Sequence, residues 1–333
     1  MHKIVIERPG GPHVLELREQ KPPAIGAAQI LVDVEAAGIN YLDVYLRDGS
    51  LDFTAPFTPG FEGVGVISAV GSGVTGLQPG ERIAWINHLG SYAAQVALPV
   101  QQAIVLPHGF SLANSLLFQG VTAQYLLSEY RAIHPGDVVL VHAAAGGVGQ
   151  VLVQWLKHLG AMVIGTASSE EKLRTIRALG ADHAVDYRNG FLDAVLALTN
   201  GRGVDLAFDA VGATTFSFTF KALAKRGMAV AYGQASGVAP DVQVYPLILK
   251  GARVAGGDLF GYIDDPEEMQ MRAAAVIKAI QDGWLSMGEV TQFPLSDAAA
   301  AHAAIEGRGT QGKLALIPAR SAGAPRDSQS CPT

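Results

Sequence analysis

Cysteine is almost missing from this chain: its 333 residues hold one, Cys331, in the polar tail. A single thiol can build neither an internal disulfide framework nor a cysteine-rich metal site. Charge is scarce too, at 16% of residues, and it leans acidic, with a formal net charge of −6. That balance argues against a general nucleic-acid or anionic-membrane surface, because such partners need a basic face to release counterions. A local basic pocket stays open. No uninterrupted apolar stretch approaches the roughly 20 residues that span a bilayer, and the N-terminus lacks a signal-peptide core. No membrane partner and a cytoplasmic location are therefore expected. What the chain does have is hydrophobic residues, 49% of the total, and enough length for two domains of a compact α/β enzyme.

The most informative stretch runs from Asp137 to Gly149. Val138 to Val141 form a short apolar run rich in β-branched residues, behind Pro135-Gly136, and read as a strand buried on both faces. A small-residue turn follows, Ala144-Ala145-Gly146-Gly147-Val148-Gly149, which is Gly-x-Gly-x-x-Gly with the first glycine replaced by alanine. Beyond it Val148, Val151, Leu152, Trp155, Leu156 and Leu159 recur at helical spacing, and Gly160 stands where the helix should stop. Strand, tight turn and helix together place backbone N–H groups and the positive end of a helix dipole where a pyrophosphate can lie. A glycine pattern alone would be an ordinary βα turn; this context favours a dinucleotide site.

Before this stretch, residues 1 to about 110 carry short alternating segments, Lys3 to Ile6, Ile30 to Glu35, Gly63 to Val70 and Ile83 to Trp85, broken by proline and glycine clusters. They predict an irregular β-rich domain. Ser111 can cap a helix carrying Leu112, Leu116 and Leu117, and Gly120 to Ile133 reads as another. From Val138 strands and helices alternate. Strands are expected at Met162–Gly165, Ala184–Val185, Val204–Phe208 and Met228–Tyr232, and helices at Glu170–Leu179, Phe191–Leu198 and Phe216–Ala224. Such alternation builds a doubly wound parallel sheet that binds its ligand at the carboxyl ends of the strands. Ala252 to Ala255 reads as an edge strand, Asp265-Pro266 as the opening of a helix to about Ile280, Ser296 as the opening of a helix to Glu306, and Lys313 to Ile317 as a last strand. The fold predicted is thus α/β, with a Rossmann domain (116–257) inserted into an irregular β-rich domain (1–115 and 258–320), followed by a disordered tail, 321–333.

The end of the second Rossmann strand bears on cofactor choice. An NAD site typically has Asp or Glu about 20 residues after the glycine turn, to bind the ribose 2′-hydroxyl. Here the residues are Thr166-Ala167-Ser168-Ser169. Without a carboxylate to repel it, a 2′-phosphate is permitted, and Ser168, Ser169 and Lys172 could receive it. On position alone, Lys172 reads as a solvated residue on a surface helix.

Several segments resemble a known family. His142 to Gln150, Leu179 to His183, Asp186-Tyr187-Arg188, Phe118 to Ala123, Ile39 to Tyr45, Pro59 to Gly63 and Gly307 to Lys313 are similar, in the same order, to quinone oxidoreductases related to zeta-crystallin. These belong to the medium-chain dehydrogenase/reductase superfamily. The resemblance covers the chain from its first strand to about Pro318. It implies a GroES-like catalytic domain split between the chain ends, a central Rossmann domain and NADPH bound in the cleft between them. Ala145, Gly146, Gly147, Val148 and Gly149 would form the pyrophosphate turn, Lys172, Tyr187 and Arg308 would contact the 2′-phosphate, and Thr122 would lie against the nicotinamide half. Asn40 and Tyr45 would face the substrate. Zinc-dependent alcohol dehydrogenases of the superfamily carry a zinc-binding cysteine where this chain has Asn40 and a histidine where it has Phe61. The remaining Glu62 is then a structural residue, His142 a structural hydrogen-bonding residue, and no metal is expected.

Metal-free hydride transfer requires an acceptor that is already electrophilic, since an unactivated alcohol would lack the Lewis acid that helps remove its proton. Quinones and α,β-unsaturated carbonyls qualify. The expected activity is hydride transfer from NADPH to a quinone or similar enone, with Tyr45 as hydrogen-bond or proton donor and Asn40 as a polar positioner. An interior tyrosine that only anchors a loop is the competing reading for Tyr45. Reduction of an enoyl thioester or alkenal is the nearest alternative activity. A crystallin-like or RNA-binding role is the non-enzyme alternative, which the acidic charge disfavours. The apolar segment Val242 to Val254, with its edge strand, suggests pairing of two copies into a homodimer.

Overall fold

The computed structural model describes residues 1–307 and 309–319; Arg308 and the expected tail, 321–333, lie outside the described residues. The described residues form two compact units, one of residues 1–106, 292–307 and 314–319, the other of 107–291 and 309–313.

The first unit is built on β3 (Gln29–Ile39), after β1 (His2–Val5) and β2 (Glu16–Glu19) pair with each other. Alternate residues of β3, Ile30, Val32 and Val34, are buried, as a strand with one face on a core requires. The helix α1 (Tyr41–Asp48) follows β3 directly, and then come β4 (Glu62–Val70), β5 (Arg82–Trp85), β6 (Gln95–Pro99) and β7 (Ile104–Val105). One edge of β3 pairs with β4, while the other is shared: Gln29–Asp33 pair with β6 and Ala37–Ile39 with the last strand of the chain. The C-terminal return therefore closes the sheet of this unit.

In the second unit α2 (Leu112–Ser115) and α3 (Phe118–Glu129) precede β8 (Val138–Val141), α4 (Gly147–His158), β9 (Met162–Ala167), α5 (Glu170–Ala178) and β10 (His183–Asp186). Then follow α6 (Phe191–Leu198), β11 (Val204–Asp209), α7 (Phe216–Ala222), β12 (Leu223–Ala231), α8 (Val244–Lys250), β13 (Arg253–Gly256) and α9 (Pro266–Gln281). The strands lie in the order β10-β9-β8-β11-β12-β13, all parallel. This is the doubly wound order, with its switch point between β8 and β11, and the turn after β8 opens there. All four residues of β8 are buried, which explains its unbroken apolar spelling.

The unit boundaries and two local details differ from the expectations. The second unit begins at 107 rather than 116, and the return to the first unit comes at 292 rather than 258. The helix α9 stays with the second unit, where its buried Arg272 bonds Gln124 and Glu129 of α3. Residues 244–250, inside the apolar Val242–Val254 segment, are helical. Finally, after β14 (Val290–Pro294) a 3-10 turn, Leu295–Asp297, intervenes before α10 (Ala298–Glu306), so Ser296 lies in that turn and does not open the helix. The chain then ends its described part with β15 (Lys313–Ile317).

Candidate functional site

In the second unit the turn between β8 and α4 reverses the chain over residues that must be small. Ala143 takes a left-handed φ of 50° and accepts a bond from the Gly146 N–H at 2.8 Å. Gly146 is the N-cap of α4 and offers no side-chain cap. The N–H groups of Gly147, Val148 and Gly149, in the first helical turn, have no intrahelical acceptors, and an anion on the helix axis meets them and the positive dipole end together. Ala145 and Gly149 are buried, whereas Gly146, Gly147 and Val148 reach the surface. A Cβ on Gly149 would strike the backbone of Ala143 and Ala144, so that glycine is required for packing. The turn is also held from the C-terminal side: Gly312 N–H donates to Ala145 O at 3.2 Å, and Gly146 and Gly312 form a parallel bridge.

The end of β9 carries no carboxylate. Ala167 is buried, Ser168 is half-buried, and Ser169 caps α5 by accepting the Lys172 N–H at 3.3 Å. Glu170 and Glu171 come next but are turned to other partners, Arg177 and Gln311. Lys172 is itself half-buried, and burial lowers its ammonium pKa against the raising effect of Glu171. Tyr187 packs its ring on the core beside β10. Arg308 lies outside the described residues, but the segment after it is docked here. Gln311 accepts from Thr175 Oγ at 2.7 Å and donates to Glu171 at 2.9 Å. Sequence reading missed Gln311, because nothing near it in sequence marks α5 as its partner. Thr122 is buried on α3, and its hydroxyl donates to Phe118 O at 2.7 Å.

His142 directly follows β8 and is fully buried. Its Nδ1 lies 2.8 Å from Thr166 Oγ and its Nε2 2.9 Å from Thr219 Oγ, which in turn donates to Asp209 at 2.7 Å. Since the Thr219 proton goes to the carboxylate, Nε2 must carry the imidazole proton and Nδ1 accept from Thr166. Burial lowers the pKa of the imidazole against the pull of Asp209. His142 is structural, as expected.

In the first unit Asn40 caps α1 and is buried. Its N–H donates to Asp43 at 2.8 Å and its side-chain amide to the buried Glu62 at 3.0 Å. Glu62 thus fixes the rotamer of Asn40. Phe61, beside it, packs against the core of the unit. Tyr45 lies one turn into α1, partly exposed, with its ring tilted against Tyr41 at 5.2 Å. The neighbours of Tyr45 in the helix, Val44, Leu46 and Arg47, are all buried. Arg47 donates to Gly10 O at 3.0 Å and in bidentate fashion to Glu306 at 2.8 and 2.7 Å. His302 faces Arg47 through Nδ1 and lies 3.0 Å from the Tyr92 hydroxyl through Nε2; that hydroxyl donates to Asp43 at 3.2 Å. Burial, then the Arg47 charge, push the His302 pKa down to about 3. Burial and Asp43 push that of Tyr92 well up. None of Arg47, Tyr92, His302 and Glu306 was singled out from the sequence, which separates Arg47 from Glu306 by 259 positions.

These two sets of residues sit in segments that known proteins share. Residues 26–143 match the Alcohol dehydrogenase GroES-like domain and 147–277 the Zinc-binding dehydrogenase family. The chain is 37% identical over 326 residues to a 2-haloacrylate reductase of a Burkholderia species, covering 94% of this chain and 98% of that protein. It is likewise 37% identical over 317 residues to a quinone oxidoreductase of Pseudomonas aeruginosa, covering 93% and 97%. The crystal structure of Escherichia coli quinone oxidoreductase complexed with NADPH superposes with a TM-score of 0.91 at 33% identity, over 96% of this chain and 100% of that one. With both ends and the middle of the chain matched at this level, the protein belongs to the quinone oxidoreductase family of the medium-chain dehydrogenase/reductase superfamily.

Proposed function

We propose that the protein binds NADPH on its second unit and uses it to reduce a quinone. The observation that carries this reading is the uncapped α4 N-terminus at Gly146-Gly147-Val148-Gly149, beside a β9 end that offers Ser168, Ser169 and Lys172 in place of a carboxylate. A structural relative solved with NADPH supports it. Bound NADPH supplies a hydride, which an electrophilic carbon accepts while the electron pair moves to a conjugated oxygen. The chain's own part is to hold the phosphates at α4 and α5, and to present the Tyr45 hydroxyl as the group that hydrogen-bonds the oxygen gaining charge. Asn40, held by Glu62, fixes the start of α1, the helix that carries Tyr45 one turn further on.

A second reading is reduction of an activated carbon–carbon double bond. The Burkholderia 2-haloacrylate reductase, as similar to this chain as the quinone reductases are, favours it. Oxidation of NADPH by purified protein against a panel of quinones, enones and haloacrylates, repeated after exhaustive chelation, decides between these readings. Turnover with quinones, unchanged by chelation, is expected. NADPH binding without turnover of any acceptor, or loss of activity with the metal, would sink the proposal.

Cofactor preference is tested by Lys172→Ala. A hydrogen bond to a charged group is worth about 1.5–3 kcal/mol, so the change should weaken NADPH by roughly ten- to a hundredfold. NADH, which has no 2′-phosphate, should be almost unaffected. Equal losses for both cofactors in kcat/KM would remove Lys172 as the phosphate reader. We also assign a homodimer, on two features of one edge. The strand β13 ends the parallel sheet, and Val244, Tyr245, Ile248 and Leu249 of the preceding helix are each about two-thirds exposed. Sedimentation should give twice the chain mass.

A further inference from the structure

Within the phosphate turn, one glycine is explained by neither the turn nor the helix. A Cβ on Gly149 would meet backbone, and one on Gly146 would meet only Ala143 O at 3.2 Å. A Cβ on Gly147 would instead fall on the carboxamide of Gln119, overlapping its Cδ, Nε2 and Oε1 together. Gln119 belongs to the first turn of α3, is half-buried, and lays its amide flat over the first residue of α4. Among the described residues that amide makes no side-chain hydrogen bond. The carboxamide, with its two N–H donors unused, therefore lies against Gly147, the first residue of the uncapped α4 N-terminus.

We infer that Gln119 is a ligand of the cofactor's pyrophosphate, and that Gly147 is glycine to let its carboxamide reach the α4 N-terminus. An amide donor at this place adds a charge-assisted hydrogen bond to those of the backbone. Because the pyrophosphate is common to both nicotinamide cofactors, Gln119 acts on each alike, unlike Lys172. This inference rests on the NADPH reading above.

The test is direct titration of NADPH and NADH binding, by cofactor fluorescence, to the full chain and its variants, with thermal melts to confirm that each folds. Gln119→Ala should weaken both cofactors about tenfold, the value of one partly exposed hydrogen bond to a charged group. Gln119→Glu is nearly isosteric and keeps any packing role, but its carboxylate repels a phosphate, so it should bind both cofactors more weakly than Gln119→Ala does. Gly147→Ala should displace the flexible Gln119 end and cost several-fold in affinity, with little further loss once Gln119 is already alanine. Wild-type affinity in Gln119→Ala, Gln119→Glu binding at least as tightly as Gln119→Ala, or equal Gly147→Ala losses in both backgrounds would overturn the assignment. In each of those cases wild-type binding would leave the NADPH reading standing. A wild-type chain that binds no NADPH would overturn both.

Discussion

Both units bury a neutral histidine in the same kind of relay. His142 passes Nε2–H to Thr219, which donates to Asp209; His302 passes Nε2–H to Tyr92, which donates to Asp43. The surroundings differ. The His142 relay joins residues from β8, β9, β11 and α7, neighbours in one Rossmann block, and its main frame is backbone packing that leaves no room for a Cβ at Gly149. The His302 relay joins α1 to α10, elements from opposite ends of the chain, and Arg47 locks it through Gly10 and Glu306. The nucleotide unit thus shapes its site with main chain, and the other unit with charged side chains. The first kind of frame should fail by overpacking, and the second by loss of one charge.

The largest effect is expected where a charge holds the frame. Arg47→Met keeps the aliphatic stem and removes the guanidinium, leaving Gly10 O and Glu306 without their partner. Breaking a buried pair typically costs about 3–5 kcal/mol. Glu306 has 31% of its side chain exposed and can be partly rehydrated, so the lower end is expected. Urea unfolding should show the midpoint fall accordingly; an unchanged midpoint would mean that α10 is held by packing alone. Gly149→Ala comes next. It removes no bond but presses a methyl on the Ala143 and Ala144 backbone, and overpacking of this kind costs about 1–3 kcal/mol. NADPH affinity should drop with it, because the turn must open to make room. A variant as stable as wild type would show that the turn yields easily, and would erase the contrast between the two frames.

The same contrast explains what could be read in the sequence. Main-chain frames leave local marks: the apolar run of β8, the small residues after it and the alternation beyond were all legible, and α6 and β15 fall on the expected residues. The capping pair Asp265-Pro266 was equally plain, with Asp265 accepting the Glu267 N–H. The helix α8 was not legible, because Val244, Tyr245, Ile248 and Leu249 give it no polar face and so no helical contrast. The capping box Asn40–Asp43 and the Glu62 contact lie within 22 positions, and their segments drew attention by resemblance alone. Partners such as Arg47 and Glu306 are invisible without the fold. Lys172 was a candidate from its place after β9 and Tyr187 one through resemblance, while Gln311, which pins the C-terminal motif to α5, needed coordinates.

The smallest effect separates the two histidines from everything else. Each is held neutral, so its folded pKa is below the unfolded value of about 6.5, that of His302 falling to about 3. A depressed histidine pKa means that the unfolded chain binds more protons. The stability it contributes is therefore complete above about pH 6.5 and is lost as pH falls from there toward the folded pKa. Between pH 6.5 and 5.5 His302 should cost about 1 kcal/mol of stability. This window lies above the carboxylate range, so the acid loss from Glu306, whose pKa Arg47 lowers, stays out of it. His302→Gln and His142→Gln will each shift the absolute stability, but the quantity to compare is the slope of stability against pH. Each variant should flatten it, although the two relays stand in frames of different kinds. A slope that His302→Gln leaves unchanged would show that His302 is already charged when folded, with Nδ1 a donor that cannot accept from Arg47.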